Sequence, residues 1–336
     1  MAIKKLGAQT VKFQNPPSII GTATVVGPVE GKGPLREYFD LILSDFKFQE
    51  KSWEKAEKKM LKEAVEMAIK KSGIPSDKID YFIAGDLLNQ IISASFAARE
   101  LGFPFLGIFG ACSTVAEGLG IGAMIIDGGY ADHIVVGTSS HFCSAERQFR
   151  FPLELGNQRP PTAQRTVTGA GAAVLSNKNQ NPRITYVTTG KVIDMGAADP
   201  NDMGSAMAPA AVDTIVTHLE DSKLTPEDYD LIVTGDLASV GKDIAQKLLL
   251  QRGIDISNKY TDCGLMIYSP EQDVHAGGSG CACAAVVTFG YILNEMQKGK
   301  YNRVLLVATG ALMNSTVVQQ GETIPCIAHA ITIENL

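Results

Sequence analysis

Residues 79–86 read Ile79-Asp80-Tyr81-Phe82-Ile83-Ala84-Gly85-Asp86, and residues 229–236 read Tyr229-Asp230-Leu231-Ile232-Val233-Thr234-Gly235-Asp236. Asp80 and Asp230, Gly85 and Gly235, and Asp86 and Asp236 fall in one register, 150 residues apart. Each stretch is a short apolar run rich in Val, Ile or aromatic residues, ended by Gly-Asp. Each follows a polar turn, Ser72 to Lys78 in one case and Ser222 to Asp228 in the other. Ahead of the first turn, Met60, Leu61, Ala64, Val65, Ala68 and Ile69 recur at helical spacing, with Ser52 as N-cap and Gly73 closing the helix. A helix, a turn and a strand written twice point to an internal duplication.

A second match lies at an offset of 171 residues. Ala111-Cys112 aligns with Ala282-Cys283, Tyr130 with Tyr301, and the run from His133 with the run from Val304. The change of offset places about 21 extra residues in the second half, expected near Ile254–Gly278. The strands are continuous rather than alternating apolar runs, which suits sheets buried on both faces. Their alternation with helices predicts largely parallel α/β sheets. Two halves, 1–180 and 181–336, meet at the polar linker Ser176–Pro182 and share one core. Placed back to back they predict a five-layered αβαβα sandwich.

Composition narrows the function. The chain has 336 residues, 45% of them hydrophobic, and a mean hydropathy of +0.06, which excludes a disordered chain. The net charge of -6 and the lack of a long basic run exclude a nucleic-acid binder. Six cysteines without zinc-type spacing predict reduced thiols and neither metal nor cofactor. The stretch Met1–Gln14 lacks the apolar core of a secretory signal. Residues 274–294 are uncharged, but Gly277, Gly278 and Gly280 break their start, so a buried helix is expected rather than a membrane span.

Phe109-Gly110-Ala111-Cys112-Ser113-Thr114 puts a thiol after a strand and at the start of a helix. Free N–H groups and the helix dipole there lower a thiol's pKa and can hold an anion. The competing reading of Cys112 is a buried inert thiol. With the repeat and the run Thr168-Gly169-Ala170-Gly171-Ala172-Ala173-Val174-Leu175, the segment resembles the ketoacyl-synthase III branch of the thiolase superfamily. That resemblance implies a Cys, a His and an Asn for condensing chemistry. Here Gly235-Asp236 stands where the His is expected, and His275, in Asp273-Val274-His275-Ala276-Gly277-Gly278, stands about where the Asn is expected. The scaffold is therefore expected to persist without the condensing chemistry. An acyltransferase or condensing enzyme with Cys112 as nucleophile is the rival.

Within that superfamily the chain resembles the stage V sporulation protein AD family from end to end. The marks are Asn15-Pro16-Pro17 through Gly21-Thr22-Ala23, the Cys112 segment, Thr138-Ser139-Ser140-His141, Gln158-Arg159-Pro160-Pro161-Thr162-Ala163-Gln164, and His275 through Cys281. This resemblance implies a non-catalytic protein that binds dipicolinic acid, alone or as its calcium chelate. It further implies membrane-embedded channel subunits as partners, peripheral attachment to the spore inner membrane, and a homodimer across the central strands of the first half. A planar aromatic dianion needs donors for two carboxylates and a flat apolar slot. The residues expected to supply them are Cys112, Thr138, Ser139, His141, Asp86, Asp236, His275 and Arg165. Arg147, Arg150, Arg159 and Arg165 form an excursion over the cleft, of which Arg159 or Arg165 is expected to reach the ligand. The competing readings are capping for the two aspartates and satisfaction of a buried carbonyl for His141.

Overall fold

The computed structural model describes residues 3–336; Met1 and Ala2, which begin the stretch read above for a signal, lie outside the described residues. The first half runs β1 (Lys5–Leu6), β2 (Thr10–Lys12), β3 (Ser18–Val26), β4 (Leu41–Ile42), α1 (Trp53–Ser72), β5 (Tyr81–Gly85), α2 (Ile92–Leu101), β6 (Phe105–Gly107), α3 (Thr114–Asp127), β7 (His133–Ser140), α4 (Phe142–Phe149), β8 (Gln164–Thr166) and β9 (Gly169–Ser176). The second runs β10 (Arg183–Thr188), α5 (Met203–Ser222), β11 (Leu231–Thr234), α6 (Ala238–Gln251), β12 (Tyr260–Asp262), α7 (Cys263–Met266), β13 (Gly277–Ser279) and α8 (Cys281–Val286). A π turn (Val287–Ile292) then leads into α9 (Leu293–Gln297), β14 (Arg303–Ala311), α10 (Ser315–Gln319) and β15 (Cys326–Glu334).

The duplication is explicit in strand order. One half reads β6-β5-β7-β9-β3 and the other β12-β11-β14-β15-β10. The two five-stranded sheets touch through a single backbone pair, Ser18 with Arg183. In each half three strands are parallel, and the next two run antiparallel to their neighbours. The sheets are thus mixed rather than largely parallel: β9 returns antiparallel beside β7, and β15 antiparallel beside β14. α1 and α2 cover the outer face of the first sheet, and α5 and α6 that of the second. α3 and α8 lie between the sheets, in a core fed by both halves. This is the five-layered sandwich.

The elements follow their sequence signals. The Ser52 hydroxyl accepts the Lys55 N–H, and Gly73 closes α1 at φ 69°. Met60, Leu61, Ala64, Val65 and Ala68 are fully buried on its inner face. At Gly21 a Cβ would stand 2.6 Å from the Ala68 carbonyl oxygen, so glycine lets α1 lie directly on β3. The N-terminal ribbon crosses over: β2 pairs with β10 of the other half. The Asp221 carboxylate holds it there, accepting the N–H groups of Ala8, Gln9 and Thr10.

The alignment of the second match needs one correction. Tyr81 pairs with Ile134 and Leu231 with Val304, so the later strands differ by 170 residues (304 less 134), not 171. His133 therefore corresponds to Arg303, and Tyr130 to Lys300. A π turn takes one residue more than an α turn, and only the second half has one here. Ahead of it, Cys112 corresponds to Cys281 rather than to Cys283. The added residues of the second half include α7 and β13, close to the expected position. The uncharged stretch after Val274 forms β13 and then the buried helix α8. Among the described residues no helix is long and apolar enough to cross a membrane.

The paired aspartates do the same work. Asp80 Oδ2 accepts the N–H groups of Asp132 (2.8 Å) and His133 (2.9 Å); Asp230 Oδ2 accepts those of Asn302 (2.7 Å) and Arg303 (2.9 Å). Each pins the start of its half's central strand. Asp80→Ala and Asp230→Ala are each expected to cost about 2 kcal/mol in urea unfolding, the scale of backbone hydrogen bonds to a charged acceptor.

Candidate functional site

The Cys112 turn is built from both halves. Ala111 takes a left-handed φ of 48°, Ser113 Oγ donates to the Gly110 carbonyl (2.6 Å), and Thr114 Oγ1 donates to the Ala111 carbonyl (2.6 Å). The end of β14 presses on this turn so closely that a Cβ at Gly310 would stand 2.1 Å from the Gly110 carbonyl oxygen. Cys112 thus precedes α3 by two residues instead of starting it. The N–H groups of Ser113 and Thr114 fold back onto Gly110 and Ala111, so they are not free to hold an anion.

The thiol faces the Asp236 carboxylate. Thr309 Oγ1 donates to Asp236 Oδ1 (2.5 Å), and the Gly280 N–H approaches Oδ2 at 3.5 Å. Burial, and then the adjacent Asp236 carboxylate, push the Cys112 thiol well above its ordinary range. The lowered thiol pKa expected from the helix start is therefore overturned: the turn uses its own donors, and an acid stands beside the sulfur. Burial also raises Asp236 to about 6. The corresponding pair repeats this with the halves exchanged. The Cys281 thiol donates to the Ala111 carbonyl (2.9 Å) and is pushed up by burial and then by Asp86. Asp86, raised to about 6 by burial, accepts the N–H groups of Leu88 and Ala94, both at 2.8 Å.

Beside Cys112 a cavity of about 430 Å³, counted out to solvent, opens between the halves. Its walls include Leu87, Phe109 and Phe149, with Met203 and Met313 opposite; Arg150 and Thr166 are among its polar groups. It continues into a wider groove of about 1150 Å³ that shares Phe109, Phe149 and Met313. No histidine lines either space among the described residues.

Of the residues expected at a ligand, Cys112 lines this cavity and Asp236 lies directly behind it. The others are engaged elsewhere. Thr138 donates to the Cys281 carbonyl (3.0 Å), and Ser139 donates to the buried Glu57 carboxyl (3.2 Å). His141 accepts the Cys143 N–H at Nδ1 (3.1 Å) and reaches the Phe46 carbonyl through Nε2 (2.7 Å), which is the buried-carbonyl role. Asp86 caps the turn into α2. Arg165 stacks over the Phe142 ring at 3.8 Å and does not line the cavity. His275 is on an exposed loop at φ 60°, beside Asp273, and not in the cleft. The inserted residues before β13 carry that loop outward.

Sequence reading passed over Phe149 and did not place Arg150 at the ligand. Arg150 is almost wholly buried and pairs with Glu146 one turn earlier on α4 (2.5 Å). That i,i+4 spacing of opposite charges was the available signal.

A mixed α/β sandwich of two repeated halves, with a thiol at the turn entering a central helix, defines a thiolase-like protein. The fold is similar to 3-oxoacyl-[acyl-carrier-protein] synthase III from Aquifex aeolicus VF5 (TM-score 0.61, 16% identity, 95% of this chain and 100% of that one). It is equally similar to a variant of OleA from Xanthomonas campestris (TM-score 0.61, 16% identity, 96% of this chain and 99% of that one). The model of the family Stage V sporulation protein AD (SpoVAD) matches residues 7–334. The chain is also 49% identical over 332 residues to stage V sporulation protein AD of Bacillus subtilis (strain 168), across 99% of this chain and 98% of that protein. The chain belongs to the stage V sporulation protein AD family.

Asp236 holds its proton more tightly folded than unfolded. Its stabilising contribution is fullest below about pH 4 and is lost as pH rises through about 6. Asp236→Asn is therefore expected to gain stability over the parent at about pH 7.5 relative to about pH 5, by on the order of 2 kcal/mol, in urea unfolding at the two pH values. No difference between the two would show that Asp236 ionises without strain.

Proposed function

We propose that this protein binds dipicolinate as its calcium chelate in the Cys112 cavity and does no condensing chemistry. The observation that carries this reading is the thiol facing the Asp236 carboxylate where a condensing enzyme would need a base. An acid at that place keeps the sulfur protonated, and thiolate is the nucleophile. The space beside it has aromatic and thioether walls suited to a flat ring. Its one lining guanidinium, Arg150, pairs with Glu146 (2.5 Å), a carboxylate that Arg159 also meets at 3.7 Å. Calcium in the chelate offsets the dianion's charge, which lowers the cost of burying it between largely apolar walls. Metal would then arrive with the ligand and not from a protein site; among the described residues no cluster of three metal-ligating side chains occurs.

The protein would act at the spore inner membrane as a peripheral subunit beside membrane-embedded channel partners, in uptake of dipicolinate during sporulation and its release at germination. Membership of a sporulation family supports this role. A homodimer would use β6. The central strands expected to form it already have neighbours on both sides, whereas β6 is the outermost strand and pairs only with β5.

Calorimetry on the purified chain should give saturable heat with dipicolinate plus calcium and less with dipicolinate alone. Phe109→Ala, at a half-exposed wall position, should weaken binding by about tenfold. No heat above buffer from either form would sink the proposal. Incubation with acyl-CoA followed by mass spectrometry should leave Cys112 unmodified; a stable adduct there would restore the condensing-enzyme reading.

A further inference from the structure

One wall of the Cys112 cavity comes from β8 and β13, a two-stranded parallel sheet apart from the two large ones. Their register sets Ser279 beside Thr166, and both residues line the cavity. Side chains alternate between the faces of a strand. Gln164, two residues before Thr166, donates from its side-chain amide to the Asp236 carbonyl (2.8 Å). Arg165, between them, stacks on Phe142 and does not line the cavity. The face that carries Gln164, Thr166 and Ser279 is therefore the one turned toward Cys112 and Asp236.

Thr166 is 3% exposed and Ser279 1%. Among the described residues neither hydroxyl has a hydrogen-bond partner, and the two do not bond each other. Nor are they sealed off, as the unpaired hydroxyls of Ser93, Thr185 and Thr288 are. The little surface that Thr166 and Ser279 keep opens on the cavity. Other hydroxyls near the seam are already used: Thr138 donates to the Cys281 carbonyl, Ser140 to the Val167 carbonyl (2.7 Å) and Thr309 to Asp236. Thr166 and Ser279 stand out as a matched pair of donors with open space before them.

We propose that Thr166 and Ser279 hold one carboxylate of the ligand, each hydroxyl donating to one of its oxygens. This rests on the reading of the cavity as the dipicolinate site. Two hydroxyls bring two protons, and no protein oxygen takes either. An ammonium would leave both without an acceptor. A bare calcium ion would meet only neutral oxygens here, because Asp236 stands behind Cys112 and is engaged by Thr309. A carboxylate accepts both protons at once and leaves the ring to the aromatic and thioether walls. The pair thus selects for an acid group at the buried end of the ligand.

Calorimetry on the full chain with dipicolinate plus calcium tests this. Thr166→Val keeps the shape and removes the hydroxyl; it should weaken binding about tenfold, the scale of one hydrogen bond to a charged acceptor. Ser279→Ala should do the same. Thr166→Ser, which keeps the hydroxyl, should bind like the parent. With dipicolinate isotope-labelled at its carboxylates, infrared difference spectra should show one carboxylate stretch displaced in the parent and not in Thr166→Val. Unfolding temperatures of the variants identify any loss caused by misfolding. If the parent binds and both folded hydroxyl-free variants bind as tightly, the proposal is overturned and the cavity reading stands. The same holds if Thr166→Ser loses as much as Thr166→Val. No heat from the parent overturns both together.

Discussion

Two thiols face two carboxylates across the seam between the halves, and each pair takes one member from each half. Cys112 of the first half meets Asp236 of the second; Cys281 of the second meets Asp86 of the first. Burial penalises charge on every member, so the thiols stay protonated and both carboxyl pKa values rise to about 6, while contacts such as Cys281 Sγ to the Ala111 carbonyl tie the halves together. The turn at Cys112, the press of Gly310 against it and the caps into α2 and α6 are arranged around these contacts. A nucleophile needs the opposite environment, one that draws the proton off the sulfur.

Seen this way, the likeness to condensing enzymes concerns the backbone. Sheets, layers and the position of the central helices agree at 16% identity, a level at which few side chains carry over. What differs lies at the ends of strands. At one of them, where the resemblance leads one to expect an imidazole, Asp236 stands and pushes the neighbouring thiol's pKa up.

Much of the architecture was readable from residues. The Gly-Asp strand ends, the capped amphipathic α1 and the apolar strands marked the repeat, because backbone pairing and burial leave a periodic trace. The alignment of Cys112 with Cys283 overshot Cys281 by two residues, one of which is the residue that a π turn inserts inside a helix without changing its apolar pattern. The site was less legible. Thr138, Ser139 and His141 have the chemistry of ligand contacts, yet each serves the interior, and composition cannot tell a buried hydroxyl that binds a neighbour from one that binds a guest. Phe149 and Arg150 reach the cavity through the close of α4, a direction set by tertiary packing rather than local spacing.

The ribbon that crosses between the sheets bears on the order of synthesis. Thr10–Lys12 pairs locally with Lys5–Leu6, but its partner in the sheets is Tyr186–Thr188 and its carboxylate clamp is Asp221. The ribbon is made before both and cannot dock until Asp221 has followed it. Cutting the linker between the halves would strand the ribbon with the wrong fragment. The duplicated ancestor's two copies have become one cooperative unit, stitched at a point where neither copy could have closed itself.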